Sequence, residues 1–176
     1  MKEHGTTSVE TALPAILKRQ YHRALMTLRE SIEMCPEDLW YSAVPKNAFW
    51  QVAYHALFFT HMYMQPNEEA FRPWSGQQTD VQYPDGIPGP ADPNSRLPLN
   101  PRPYSKVEVL AYWAHCDQMV DATVDSLDLS SENSGFSWYP ISKLEHQIVS
   151  LRHVQHHTAQ LADRVRAATG EGVRWR

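Results

Sequence analysis

Two histidines near the C-terminal end of the sequence are spaced to bind one metal ion. His153 and His157 are four residues apart, so on a helix they lie one turn apart on the same face. Neutral imidazole is a good ligand for metals such as zinc and nickel, with bonds of about 2.0–2.1 Å. The chain contains no other His-x-x-x-His spacing. The pattern therefore predicts a divalent metal site with this pair as its first two ligands.

A third ligand has to come from another helix, because two histidines rarely hold an ion tightly. His55 lies in the most apolar stretch of the sequence, residues 49–59, where an imidazole without a partner would be costly. Its alternative role is that of a core histidine with a backbone or hydroxyl partner. Gln51, one turn earlier, is a candidate to hydrogen-bond to it or to a bound water. We predict that His55, His153 and His157 bind one zinc or nickel ion per chain.

The remaining candidates for chemistry are weaker. His156 lies about 100° from its neighbour His157 in helical projection, so it is expected to be an outer or surface residue. His146 lies two turns before His153, too far away to share the ion. Asp117 and Glu108 qualify as a general base only by residue type, since surface or capping carboxylates are more common. The sequence assigns no catalytic residue and no organic cofactor.

Four long helices are predicted to position these histidines. Apolar residues recur at helical spacing over residues 11–34, and residues 46–64 are apolar almost all the way round, so this second helix must be covered on several sides. No strand pattern competes with them. The fold class is therefore all-α, a four-helix bundle with a long irregular crossover between helices 2 and 3, in a single domain over residues 1–176.

The ends of the third and fourth helices carry specific signals. Ser105 and Glu108 form a capping box at the start of the third helix, and Ser142 and Glu145 do the same at the start of the fourth. Gly170 is placed as a left-handed cap at the end of the fourth helix. These signals give the two helices defined starts and the last one a defined end.

The crossover, residues 65–104, has a different composition from the helices. It holds 9 of the 13 prolines of the chain and little periodicity. A structureless segment of this length is unusual inside a compact domain, so it either shapes a site or only bridges two helices. Trp74, Tyr83 and Tyr104 are expected to anchor it through their large apolar area.

Composition excludes several classes of function. The net charge of -4 comes without a basic face, so neither nucleic acid nor a membrane surface is expected as a partner. No apolar run approaches the length of a membrane span.

Cys35 and Cys116 lie among apolar residues, which favours buried packing thiols and a cytoplasmic protein. Glu-x-x-His, His-Glu-x-x-His and the glycine-rich nucleotide motifs are absent, which removes di-iron carboxylate bundles, zincins and nucleotide-binding proteins.

The second and the last helix together resemble the DinB/YfiT-like family of metal-dependent helical bundles. The matching motifs are Trp-Gln-Val-Ala-Tyr-His at residues 50–55 and His-Val-Gln-His-His-Thr-Ala-Gln at residues 153–160. The family pattern in the last helix is His-x-x-His-His followed by a basic residue, a small residue and Gln. Thr158 stands where the family often has Arg.

The resemblance implies both a site and an activity. The three metal ligands of the family correspond to His55, His153 and His157, on a bundle that commonly forms a homodimer and leaves coordination positions open. Some relatives are thiol transferases that use the ion to activate a low-molecular-weight thiol such as bacillithiol or mycothiol. We therefore expect a metal-dependent thiol S-transferase or hydrolase acting on a small molecule. The alternative is a non-catalytic metal- or ligand-binding module of a stress response.

Overall fold

The computed structural model describes residues 9–44, 46–79, 81–83 and 102–176. Within these ranges the chain is all-helical and has no strand, which confirms the predicted fold class at that level. Its elements are α1 (Val9–Met34), α2 (Glu37–Trp40), α3 (Phe49–Tyr63), a 3-10 turn (Glu68–Ala70), α4 (Lys106–Ser126) and α5 (Lys143–Thr169). None of the helices in the described part of the chain combines the length and the apolar character that a membrane span requires.

The capping box predicted for α4 forms in full, whereas at α5 only the half in which Ser142 accepts from Glu145 forms. Before α4, the Ser105 hydroxyl accepts from the Glu108 N–H at 3.3 Å, and the Ser105 N–H donates to the Glu108 carboxylate at 2.8 Å. Before α5, the Ser142 hydroxyl accepts from the Glu145 N–H at 3.2 Å. Gly170 ends α5 in the left-handed conformation with φ of 76°. Local sequence therefore fixes the ends of both helices.

The short helix α2 was not predicted, because four residues are too few to show a periodicity. Pro36 precedes it, and Glu37 and Asp38 lie in its first turn, where acidic side chains interact favourably with the helix dipole. Trp40 at its end is fully buried, and its indole N–H donates to the Tyr104 carbonyl at 2.9 Å. The helix therefore connects the exit of α1 to the far end of the crossover.

The helix α3 is enclosed by the rest of the chain. It packs against α4 and α5, and α1 also packs against both of these helices. The four helices share one core, which includes Leu25, Leu57, Val120 and Val154. This arrangement covers α3 on several sides, as its apolar sequence requires, so its burial does not depend on a second subunit. The homodimer stays a prediction.

The described parts of the crossover are packed against the helices. The Tyr104 hydroxyl donates to the Gly76 carbonyl at 2.7 Å and accepts from the Gln78 N–H at 2.7 Å. Trp74 stacks on Tyr112 of α4 with ring centroids 4.7 Å apart. Tyr83 contacts Phe59 of α3 at 6.2 Å between centroids. All three aromatic residues expected to anchor the crossover do so, while residues 80 and 84–101 lie outside the described residues.

The α4–α5 connection is fastened to the start of the crossover. The ammonium group of Lys143, a buried residue, donates to the Pro66 carbonyl at 2.7 Å and to the Ser134 carbonyl. The Glu68 N–H donates to the Gly135 carbonyl at 3.2 Å. Since Gly135 has φ of 83° and a Cβ there would lie 2.2 Å from the Pro66 oxygen, only glycine fits this junction.

We expect Gly135→Ala to destabilise the fold far more than Gly170→Ala. Both positions have positive φ, which costs a non-glycine residue about 1–2 kcal/mol. An added Cβ meets nothing within 4 Å at Gly170, but it meets backbone at Gly135. Urea unfolding should therefore give a loss of about 1 kcal/mol for Gly170→Ala and about 3 kcal/mol or more for Gly135→Ala. Equal losses would show that the junction relaxes without cost.

Candidate metal centre

The structure brings the three predicted histidines together between α3 and α5. The His55–His153 ring centroids are 4.9 Å apart, and both lie 4.5 Å from the centroid of His157. One nitrogen from each ring can be chosen so that all three lie within 4.8 Å of one another. Across the described ranges, no other group of three or more His, Cys, Asp or Glu residues meets this criterion. The predicted juxtaposition of His55, His153 and His157 is confirmed.

The crossover fixes the tautomer of His55. The Nδ1 atom of His55 lies 2.6 Å from the Gln82 carbonyl oxygen. Because a carbonyl oxygen only accepts, Nδ1 carries the proton and Nε2 carries the lone pair. This Nε2 atom lies 3.0 Å from Nε2 of His153. A backbone carbonyl thus presents His55 as a ligand, in the manner typical of metal-binding histidines.

His153 is held in its neutral form. Burial, followed by the charges of the neighbouring His55, His157 and His156, lowers its pKa to about 2. Its Nδ1 atom is buried and has no hydrogen-bond partner. Two nitrogens bound to one ion at about 2.0–2.1 Å are roughly 2.9–3.4 Å apart for angles between 90° and tetrahedral. The observed Nε2–Nε2 separation of 3.0 Å falls in this range, so the His55–His153 pair is spaced for one ion. A nitrogen of His157 lies within 4.8 Å of both, which makes it the third donor.

Gln160 orients His157 from one turn further along α5. Its Oε1 atom lies 2.9 Å from Nδ1 of His157, and its Nε2 atom lies 3.2 Å from Nε2 of His156. An amide oxygen accepts and an amide nitrogen donates, so His157 donates from Nδ1 and keeps a lone pair on Nε2. His156 itself is exposed. Its ring contacts that of His157 with centroids 5.0 Å apart, and its Nε2 atom is bonded to Gln160, in agreement with its predicted outer position.

Three polar residues considered from the sequence have other roles. The Oε1 atom of Gln51 accepts from the Ala48 N–H at 3.0 Å and so caps the start of α3, instead of serving His55. Asp117 pairs with His22 at 2.7 Å. Glu108 caps α4 and pairs with Arg102 at 2.9 Å; this pairing and the Ser105 hydrogen bonds lower its carboxyl pKa to about 2. None of these contacts involves the triad.

A cleft gives small molecules access to His153. It has a volume of about 510 Å³ and is lined by His153 together with Tyr139, Val149, Arg152, Gln155 and His156. Phe59 packs against the site, with its ring centroid 4.8 Å from that of His55 and 5.4 Å from that of His153. The triad therefore borders the cleft through His153 and contacts an aromatic ring at His55 and His153.

The cysteines are buried packing thiols, as predicted. Cys35 and Cys116 are both free and buried. Burial raises the pKa of Cys35 to about 12 and that of Cys116 well above its ordinary value. A thiol that stays protonated is a poor nucleophile, so neither residue adds chemistry to the site.

Comparisons with known proteins give no assignment. No protein-family model matches the chain, and neither the curated proteins nor the solved structures contain a match. The DinB/YfiT resemblance therefore stays a prediction, and the three histidines are the main indication of function.

Two histidines outside the triad have pKa values shifted in opposite directions. His146 is fully buried against Tyr63 and Phe136, and burial, followed by the charge of Lys143, lowers its pKa to about 4. Burial also lowers the pKa of His22, but its hydrogen bonds to Asp117 and Asp121 outweigh this effect, so the net shift is upward. Neither residue contacts the triad.

We expect His146→Phe and His22→Gln to change the pH dependence of stability in opposite senses. The unfolded chain protonates His146 below its ordinary pKa of about 6.5 while the folded chain does not, so acid destabilises the fold down to about pH 4. His146→Phe should reduce this loss. The stabilisation from His22 is complete below about pH 6.5 and fades as the pH rises through its folded-state pKa, so His22→Gln should cost more at low pH.

Urea unfolding at about pH 5, 6.5 and 8 measures these effects. If wild type and both variants gave parallel curves of unfolding free energy against pH, the two assigned shifts would be wrong.

Proposed function

We propose that this chain is a DinB/YfiT-like protein that holds one divalent ion on His55, His153 and His157. Zinc and nickel suit a set of three imidazoles best. The proposal rests mainly on the proximity of three histidines. Other parts of the chain orient their rings or keep them neutral. The Gln82 carbonyl orients His55, Gln160 orients His157, and burial keeps His153 neutral.

The helix packing supports the bundle that the resemblance implies. The four long helices follow the expected order, the long connection falls between α3 and α4, and each of α1 and α3 packs against both α4 and α5. We therefore propose a four-helix bundle with a crossover, in one domain and as a homodimer. In this arrangement α3 and α5 supply all three ligands.

Catalysis is favoured over a purely structural ion because the described residues supply only three ligands, too few for a closed site. Structural zinc sites usually have four Cys or His ligands. In the described part of the chain, no fourth His, Cys, Asp or Glu joins the group. When bound, such an ion lowers the pKa of a coordinated water or thiol. The cleft over His153 gives a small molecule access to this position.

The reaction we propose is transfer of a low-molecular-weight thiol to an electrophile, with metal-assisted hydrolysis as the other reaction open to such a site. In the transfer, the thiol loses its proton to solvent, its sulfur bonds to carbon, and the leaving group departs with the bonding electrons. In this reading, Arg152, exposed at the cleft, is positioned to contact an anionic group of the thiol or the electrophile. A non-catalytic binding module is the alternative outcome.

Protein purified without chelator or nickel resin should contain close to one zinc, nickel or similar ion per chain by elemental analysis. His157→Ala should lower metal affinity by more than about 100-fold, since it removes a ligand. His156→Ala should lower it by about tenfold, because His156 supplies no ligand nitrogen and loss of an outer residue typically costs 10–100-fold. Folded wild-type protein without metal affinity, or equal effects of the two variants, would overturn the proposed site.

A thiol screen separates the enzyme from the binding module. We expect the metal-loaded protein to accelerate the displacement of chloride from 1-chloro-2,4-dinitrobenzene by at least one of bacillithiol, mycothiol, glutathione and cysteine. The rate should fall to background after chelation and in His157→Ala. A full complement of metal without acceleration by any thiol, and without hydrolysis of activated esters, would favour the non-catalytic module.

A further inference from the structure

A second cavity shares Phe59 with the surroundings of the triad. It has a volume of about 240 Å³, and we call it the aromatic pocket. Its lining consists of Phe59, Met62, Tyr63, Glu68, Tyr83, Trp138 and Tyr139. Five of these seven side chains are aromatic. Pockets for drug-sized ligands span about 300–1,000 Å³, so this one is suited to a single small group.

The rings of the aromatic pocket stand at different angles to one another. Tyr63 and Tyr139 are perpendicular, with centroids 5.6 Å apart. Phe59 contacts Tyr63 at 5.2 Å and Tyr83 at 6.2 Å, with interplanar angles of 50° and 59°. Rings at such angles can present π-faces, which carry partial negative charge, to a guest from more than one direction.

Among the described residues that line the aromatic pocket, Glu68 is the one charged residue. Its carboxylate forms no ion pair within the described ranges. Its backbone is held in place, because its N–H donates to the Gly135 carbonyl and the Asn67 side chain caps the same 3-10 turn. The chain therefore anchors an acidic residue that forms no ion pair beside a group of aromatic rings.

We propose that the aromatic pocket binds a small organic cation, a quaternary or tertiary ammonium group. Aromatic faces attract such cations, and cages of this type recognise choline and methylated lysine. A neutral apolar guest would fill the same space, but it would leave the Glu68 carboxylate partly desolvated without compensation. The charge of Glu68 therefore selects a cation over a neutral molecule of the same shape.

This site is separate from the metal ligands and goes beyond the proposed function. Phe59 is a wall of the aromatic pocket and also packs on His55 and His153. A bound ammonium group is therefore one ring away from the triad. The pocket is formed by α3, the crossover and the α4–α5 connection without any ligand nitrogen of the triad, so its binding is independent of metal.

Isothermal titration of the full chain with choline and with 3,3-dimethyl-1-butanol, its neutral carbon isostere, tests the proposal. Choline should bind at least about tenfold more tightly, since a desolvated cation–π contact and a nearby carboxylate favour the charged ligand. The preference should be the same with chelator and with added zinc. No choline binding at millimolar concentrations, equal affinity for the isostere, or tighter binding of benzoate would overturn the proposal.

Matched variants locate the binding site. Glu68→Gln keeps the shape of the side chain and should weaken choline binding by about tenfold, whereas Glu69→Gln, its exposed neighbour, should leave it unchanged. Trp138→Leu should weaken it by about 5–30-fold through loss of an aromatic wall. Equal effects of the Glu68 and Glu69 variants would place the cation elsewhere. His157→Ala should retain choline binding, so failure of the metal site and failure of this pocket give different results.

Discussion

The placement of a half-buried, neutral His153 between α3 and α5 is the constraint around which the site is built. An imidazole in this position needs partners for its nitrogens, because unpaired buried polar atoms are costly. Its Nε2 atom lies 3.0 Å from Nε2 of His55, and its buried Nδ1 atom has no hydrogen-bond partner. The packing of α3 on α5 thus stabilises the fold through apolar contacts and also brings the nitrogens of three imidazoles close together. A divalent ion bound there would replace the polar interactions with water that these nitrogens lose on burial.

The irregular segments contribute as much to the site as the helices do. Gln82 of the crossover fixes the tautomer of His55. Tyr104 and Trp74 hold the crossover against α3 and α4, which keeps that carbonyl in place. Lys143 and Gly135 join the start of the crossover to the α4–α5 connection, and this junction also positions Glu68 and Trp138. Two cavities next to the triad therefore depend on segments that have little regular structure of their own.

Charge distribution distinguishes the two cavities. The cleft over His153 has a cationic side chain, Arg152, in its lining, whereas the aromatic pocket has an anionic one, Glu68. Tyr139 lines both. An anionic group would accordingly be favoured in the cleft, and a cationic group would be favoured in the aromatic pocket. The opposite charges give the two cavities different ligand preferences although they share a wall and lie close to the same histidines.

The sequence by itself determined the features that depend on spacing and local chemistry. The four-residue interval of His153 and His157, the capping residues Ser105 and Ser142, and the left-handed Gly170 all act within one helical turn, so a linear reading suffices. His55 was also within reach, because an imidazole in an apolar helix needs a partner. Only the tertiary structure decided that a Gln82 carbonyl orients His55 and that Gln51 caps α3 instead, because every residue has a carbonyl and a glutamine side chain has several possible partners. The aromatic pocket was likewise invisible, since its residues come from three separate segments and long-range packing alone brings them together.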